Sequence, residues 1–104
     1  MVMSETSMSY MISATEKILN TFLPMEFPDI EEIKVTPHSD DRVMVMMKIK
    51  RGEIAGRYRE LRSRIKSLVP MVGGSANELT VPDSNKNHWF VTSIVYFSRP
   101  FVKF

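Results

Sequence analysis

Cysteine is absent from these 104 residues, glycine occurs only four times, histidine twice and tryptophan once. Without cysteine there is no disulfide, no thiol nucleophile and no thiolate metal site. A reducing compartment is the expected setting. The two histidines, His38 and His88, stand beside turn-type residues in neither HxH nor HExxH spacing, so no metal centre is expected. No GxSxG sequence marks a serine nucleophile. Gly52-Glu53-Ile54-Ala55-Gly56 has three residues between its glycines and no Gly-Lys-Ser/Thr ending. It therefore departs from both a P-loop and a KH-type turn, and backbone geometry at a strand–helix joint accounts for it. Glu31 and Glu32 are neighbours on an expected strand, which points them to opposite faces and rules them out as a carboxylate pair. No catalytic residue, cofactor-binding residue or metal ligand emerges, and a non-enzymatic protein is expected. No apolar run approaches the roughly 18 residues of a membrane-spanning helix. The opening MVMSETSMSYMIS has neither the basic start nor the apolar run of a secretory signal. A cytoplasmic protein with no membrane partner is the expectation.

Against these absences stand 43% hydrophobic and 25% charged residues, ordinary values for a globular chain. At this length they predict one domain over residues 1–104, with about the first seven residues disordered. Nine methionines predict a core or contact surface built from flexible, gap-filling side chains.

Hydrophobic spacing predicts a helix over about residues 8–23. Met8, Met11, Ile12, Thr15, Ile18, Leu19 and Phe22 recur there every three or four positions. Ser13 and Glu16 have the spacing of a capping box, and Pro24 is expected to end the helix. Residues 30–36 alternate as a strand, Pro37 to Asp41 read as a turn, and residues 42–50 form a second strand. In that second strand Val43, Val45, Met47 and Ile49 share one face, and Met44, Met46, Lys48 and Lys50 the other. The short link makes the pair an antiparallel hairpin. A second helix over about 53–69 carries Ile54, Tyr58, Leu61, Ile65 and Leu68 as a narrow apolar stripe, and Pro70 and Gly73-Gly74 stop it. A short strand at 79–81, ended by Pro82, and a turn at 83–87 lead to the best strand of the chain, 88–97. One row of that strand is Trp89, Val91, Ser93, Val95 and Phe97. The other is His88, Phe90, Thr92, Ile94 and Tyr96. Both rows are largely apolar, so the strand is expected at the centre of a sheet or covered on both sides.

The order αββαββ predicts a two-layer α+β fold, a mainly antiparallel four-stranded sheet with two helices on one face. Met44, Met46, Phe90, Ile94 and Tyr96 would then lie on the face without helices. A second apolar face on a small domain calls for a partner, so these five residues are the expected interface of a homo-oligomer.

Charge is segregated along the chain. Lys48 to Lys66 holds eight basic and two acidic residues, a net of +6, whereas residues 1–41 hold two basic and eight acidic, a net of −6. Such asymmetry suits an anionic partner, or attraction between the two regions within or between subunits. On the second helix, Glu53 and Glu60 stand four residues before Arg57 and Arg64, the favourable order for helix ion pairs. Arg59, Arg62 and Lys66 have no such neighbour and fall on the opposite flank, where they suit phosphate groups or the acidic half of the chain. Two functions follow: a self-associating protein acting through protein–protein contacts, in an assembly or adaptor role, or a nucleic-acid-binding regulator using Arg59, Arg62 and Lys66. Trp89, Phe90, Tyr96 and Phe97 on one strand suit core packing first and base stacking second.

Overall fold

A computed structural model describes residues 3–51 and 57–97. Its elements are helix α1 (Met3–Glu26), strands β1 (Ile30–Ser39) and β2 (Arg42–Lys50), helix α2 (Tyr58–Leu68), a 3-10 turn (Val69–Val72), and strands β3 (Gly74–Ser84) and β4 (His88–Phe97). Among the described residues the sheet is antiparallel in the order β1-β2-β4-β3. The strand with two apolar rows, β4, lies between β2 and β3, as its composition requires.

Alternation along each strand sends one row into a single core. Ile33 and Val35 of β1, Val43, Val45, Met47 and Ile49 of β2, Leu79 of β3 and Val91, Val95 and Phe97 of β4 are buried together. The α1 side chains Met11, Leu19 and Leu23 and the α2 side chains Leu61, Ile65 and Leu68 close over them. The expected stripe of α2 is thus its buried face, with Tyr58 half-buried and donating its hydroxyl to the Leu79 carbonyl at 2.8 Å. Ile54 and Glu53 lie outside the described residues. The helices run antiparallel: the end of α1 meets the start of α2 through Glu26 and Arg57, and Tyr10 near the start of α1 reaches the Val72 carbonyl beyond α2. No helix among the described residues is long and apolar enough to cross a membrane.

Three prolines do not break the structure where expected. Helix α1 begins at Met3 and continues through Pro24 to Glu26. Pro24 sits in the last turn, where it removes one N–H, while the Phe27 N–H still closes on the Leu23 carbonyl at 2.8 Å. Because the helix starts so early, Ser13 is not a cap. Strand β1 runs through Pro37 to Ser39, so the hairpin turn shrinks to Asp40-Asp41. Strand β3 extends from Gly74 through Pro82 to Ser84 rather than spanning three residues. Both are edge strands with register shifts at or near the proline, the settings in which a sheet tolerates a residue without an N–H. The glycine pair acts as two separate devices. Gly73 takes φ 91° to end the 3-10 turn, and Gly74 starts β3 so close to β4 that a Cβ would stand 2.8 Å from Val95 Cγ1.

Two buried hydroxyls, Thr15 Oγ1 and Ser93 Oγ, have no hydrogen-bond partner among the described residues. Burying such a group unpaired costs about 1–3 kcal/mol. Thr15→Val keeps the shape and removes the oxygen, so denaturant melts should show it equal to or more stable than the parent. A clear loss would mean that the hydroxyl is bonded. On α2, Leu61 is fully buried and its neighbour Arg62 is half-buried. Leu61→Ala is expected to cost about 2–5 kcal/mol, as large-to-small core changes do. Arg62→Ala should stay within about 0.5 kcal/mol, as surface changes do. The reverse pattern in the same melts would mean that the faces of α2 are wrongly assigned.

Candidate interaction surfaces

The row of each strand that points away from the helices makes one continuous surface. Cross-strand partners there are Thr36, Met44 and Ile94; Lys34, Met46, Thr92 and Thr80; Glu32, Lys48 and Phe90; and Arg42, Tyr96 and Ser75. Met44, Met46, Phe90, Ile94 and Tyr96 therefore share one side of the sheet, on the two central strands. Met46 is 40% exposed and the other four are half-buried. A concavity of about 350 Å³ opens on this face between Glu32, Lys34, Met46, Lys48, Phe90 and Thr92.

Polar groups frame the apolar strip and are mostly engaged. Thr80 and Thr92 share a hydroxyl hydrogen bond of 2.7 Å across β3 and β4. The Arg42 guanidinium lies over the Tyr96 ring at 4.7 Å while its Nε donates to Asp41 Oδ1 at 3.3 Å. Lys34 stands 3.9 Å from Glu32. Glu31 reaches His88, with Oε1 and Nε2 2.9 Å apart. This corrects the expectation that Glu31 and Glu32 point to opposite faces. A register shift between Ile30 and Glu32 interrupts the alternation, and both carboxylates meet partners from the open-face row.

The two edges of the sheet are blunted. On β1 the Glu16 carboxylate of α1 takes the Val35 N–H at 3.4 Å, and Pro37 has no N–H to offer. Register shifts mark both ends of that strand. On β3 two register shifts, flanking Asn77-Glu78 and Val81-Pro82, disturb the ladder. These are the devices by which edge strands avoid pairing with other chains.

The second surface is the outer side of α2. Arg57 donates to the Glu26 carbonyl at 2.8 Å, pairs with Glu60 at 3.1 Å and lies 4.4 Å over the Phe27 ring. Arg64 meets the Glu26 carboxylate at 2.6 Å. The expected Glu60–Arg64 pair is therefore not made: the packing of α1 against α2 brings Glu26 to Arg64 and leaves Glu60 for Arg57. Two cations at the C-terminal end of α1 also oppose the negative end of its dipole. Arg59, Arg62 and Lys66 lie on the other flank of α2, turned from α1. Arg59 and Lys66 are exposed, and none of the three has an ion pair or hydrogen bond among the described residues.

Sequence reasoning missed Glu26, Glu31 and Arg42 as partners. Their contacts depend on which elements become neighbours, and no local pattern signals that. Compared with family models, with curated proteins and with solved structures, the chain matches none.

Proposed function

We propose that this is a non-enzymatic protein that self-associates into a two-fold dimer by packing two open sheet faces together, and that it acts through protein–protein contacts in an assembly or adaptor role. The observation that carries the reading is the uncovered strip of Met44, Met46, Phe90, Ile94 and Tyr96 on the central strands. Side chains of this size, half-exposed and adjacent, are what a facing sheet buries in a sandwich at about 10 Å separation. A two-fold pairing presents the same patch from both copies, so each concavity meets the methionines of its partner.

Size supports the reading. Strands of nine to eleven residues are about 30 Å long and four of them are about 19 Å wide. The flat footprint is near 600 Å², which side-chain relief enlarges, against about 800 Å² per partner in a standard stable interface. The blunted edges favour the face over strand-to-strand extension. The face also carries Glu32 among Lys34 and Lys48, so a two-fold partner can offer each carboxylate a lysine.

Size-exclusion chromatography with light scattering tests this. The expected mass is twice the 12.0 kDa of one chain. It should persist in ~1 M salt, where attraction between exposed charges is screened beyond about 3 Å. Met46→Glu, at an exposed position, should give a folded monomer. A monodisperse monomer at every concentration would remove the reading, and a dimer that dissolves in high salt would assign assembly to the segregated charges instead.

A further inference from the structure

The row Arg59, Arg62 and Lys66 has a use that self-association does not absorb. Among the described residues, no acidic side chain pairs with it. Glu26 is held by Arg57 and Arg64, Glu31 by His88, Glu32 by Lys34 and Asp41 by Arg42. Glu26–Arg64 is the one ion pair among the described residues that joins the two oppositely charged regions, and these three cations stay unpaired among the described residues. Spacings of three and four place them in line on one flank of α2. Seven residues separate the first from the last, about 10.5 Å along the helix axis. Consecutive phosphates on one strand of a duplex wind around the axis and lie roughly 7 Å apart in space, so a row of about 10.5 Å with its flexible side chains can reach two or three of them. The two arginine forks suit phosphate oxygens, which they grip with paired N–H donors.

Double-stranded nucleic acid fits better than the other polyanions. The segment Arg59–Lys66 exposes Arg59, Ser63 and Lys66, with Arg62 half-buried beside them and the exposed Glu60 paired with Arg57; it offers no aromatic ring for an unpaired base and no apolar side chain to enter a lipid layer. The half-exposed rings of Phe90 and Tyr96 belong to the opposite side of the sheet.

We propose that the Arg59–Arg62–Lys66 row binds the phosphate backbone of duplex nucleic acid, and that the dimer bridges two duplexes. The first part stands on α2 alone. The second rests on the proposed sheet-face dimer. Packing the open faces leaves the layers in the order helices, sheet, sheet, helices, with one basic row on each outer side. Sheets about 10 Å apart and helices about 10 Å across separate the two rows by roughly 30 Å, so one straight duplex cannot lie along both.

The test uses the full chain, a dye-labelled duplex and a second, biotinylated duplex, with light scattering on the same samples. Fluorescence anisotropy should show binding that weakens about 40-fold between 50 and 200 mM salt, the loss for three phosphate contacts at a log–log slope of about −2.7. The triple variant R59A/R62A/K66A should lose this binding and keep its dimer mass and its melting curve. Capture of the labelled duplex on the biotinylated one should require the parent protein and fail with Met46→Glu. No duplex binding at 50 mM salt, or undiminished binding by the triple variant, overturns the basic-row assignment whatever the oligomeric state. Preference for a single-stranded oligonucleotide or for anionic lipid vesicles overturns the duplex assignment. Duplex binding by a monomer, without co-capture, overturns the bridging and the dimer while leaving the row as the binding surface. Co-capture lost in the triple variant and in Met46→Glu alike is the result expected.

Discussion

Among the described residues, two helices cover one side of the antiparallel sheet and leave the other side open. Every other feature of the molecule follows from that limit. The buried rows of all four strands point the same way because the apolar faces of α1 and α2 lie only there. The opposite row has no cover among the described residues, yet it keeps Met44, Met46, Phe90, Ile94 and Tyr96 rather than a solvated set of side chains. The free energy of a small domain comes mainly from burying apolar surface. Burial of that second apolar face is what the proposed dimer would add.

Electrostatics divides the molecule in the same way. The large opposite charges of the two halves of the sequence do not form one broad contact. Among the described residues one ion pair joins them, Glu26 with Arg64, and with the Arg57 bond to the Glu26 carbonyl it ties the two helices together at one end. Among the described residues, the unpaired charges on the far flank of α2 are all basic: Arg59, Arg62 and Lys66. Apolar surplus on one side and basic surplus on the other give the two sides of the molecule different chemistries, and each proposal rests on one of them.

The sequence was most legible where period and burial agree. The Leu61, Ile65 and Leu68 stripe, the alternation of β2 and the two rows of β4 are all found in the structure as their spacing predicts. It was least legible at punctuation. Pro24, Pro37 and Pro82 read as stops, but Pro37 and Pro82 lie on outer strands of the described sheet, where a missing N–H is tolerated, and Pro24 lies close enough to the end of α1 that only its own bond to the Asn20 carbonyl is lost. The shift beside Glu31 was hidden because a bulge leaves no mark in a charged run. Glu26 with Arg64 and Arg42 with Tyr96 were hidden for another reason. Each joins segments whose adjacency is decided by the whole fold, so nearest-neighbour rules assigned Arg64 to Glu60 instead. The five open-face residues were legible as a group because alternation alone places them together.

The ladder between β2 and β4 has no register shift, unlike the other two ladders of the sheet. It also joins residues 38 to 54 positions apart, from Lys50 with His88 to Arg42 with Tyr96. The hairpins β1-β2 and β3-β4 each close over short turns, on a timescale of about 1–10 μs for such units. Their union through β2 and β4 must wait for the closure of the long loop that contains α2, and contacts of high sequence separation are the slow ones in folding. The pairings of highest sequence separation in the sheet are thus concentrated at its middle. Any opening of that seam would expose the hydrogen-bonding edges of β2 and β4, the two strands that are interior among the described residues, and edges of that kind are what pair with another molecule of the same sequence.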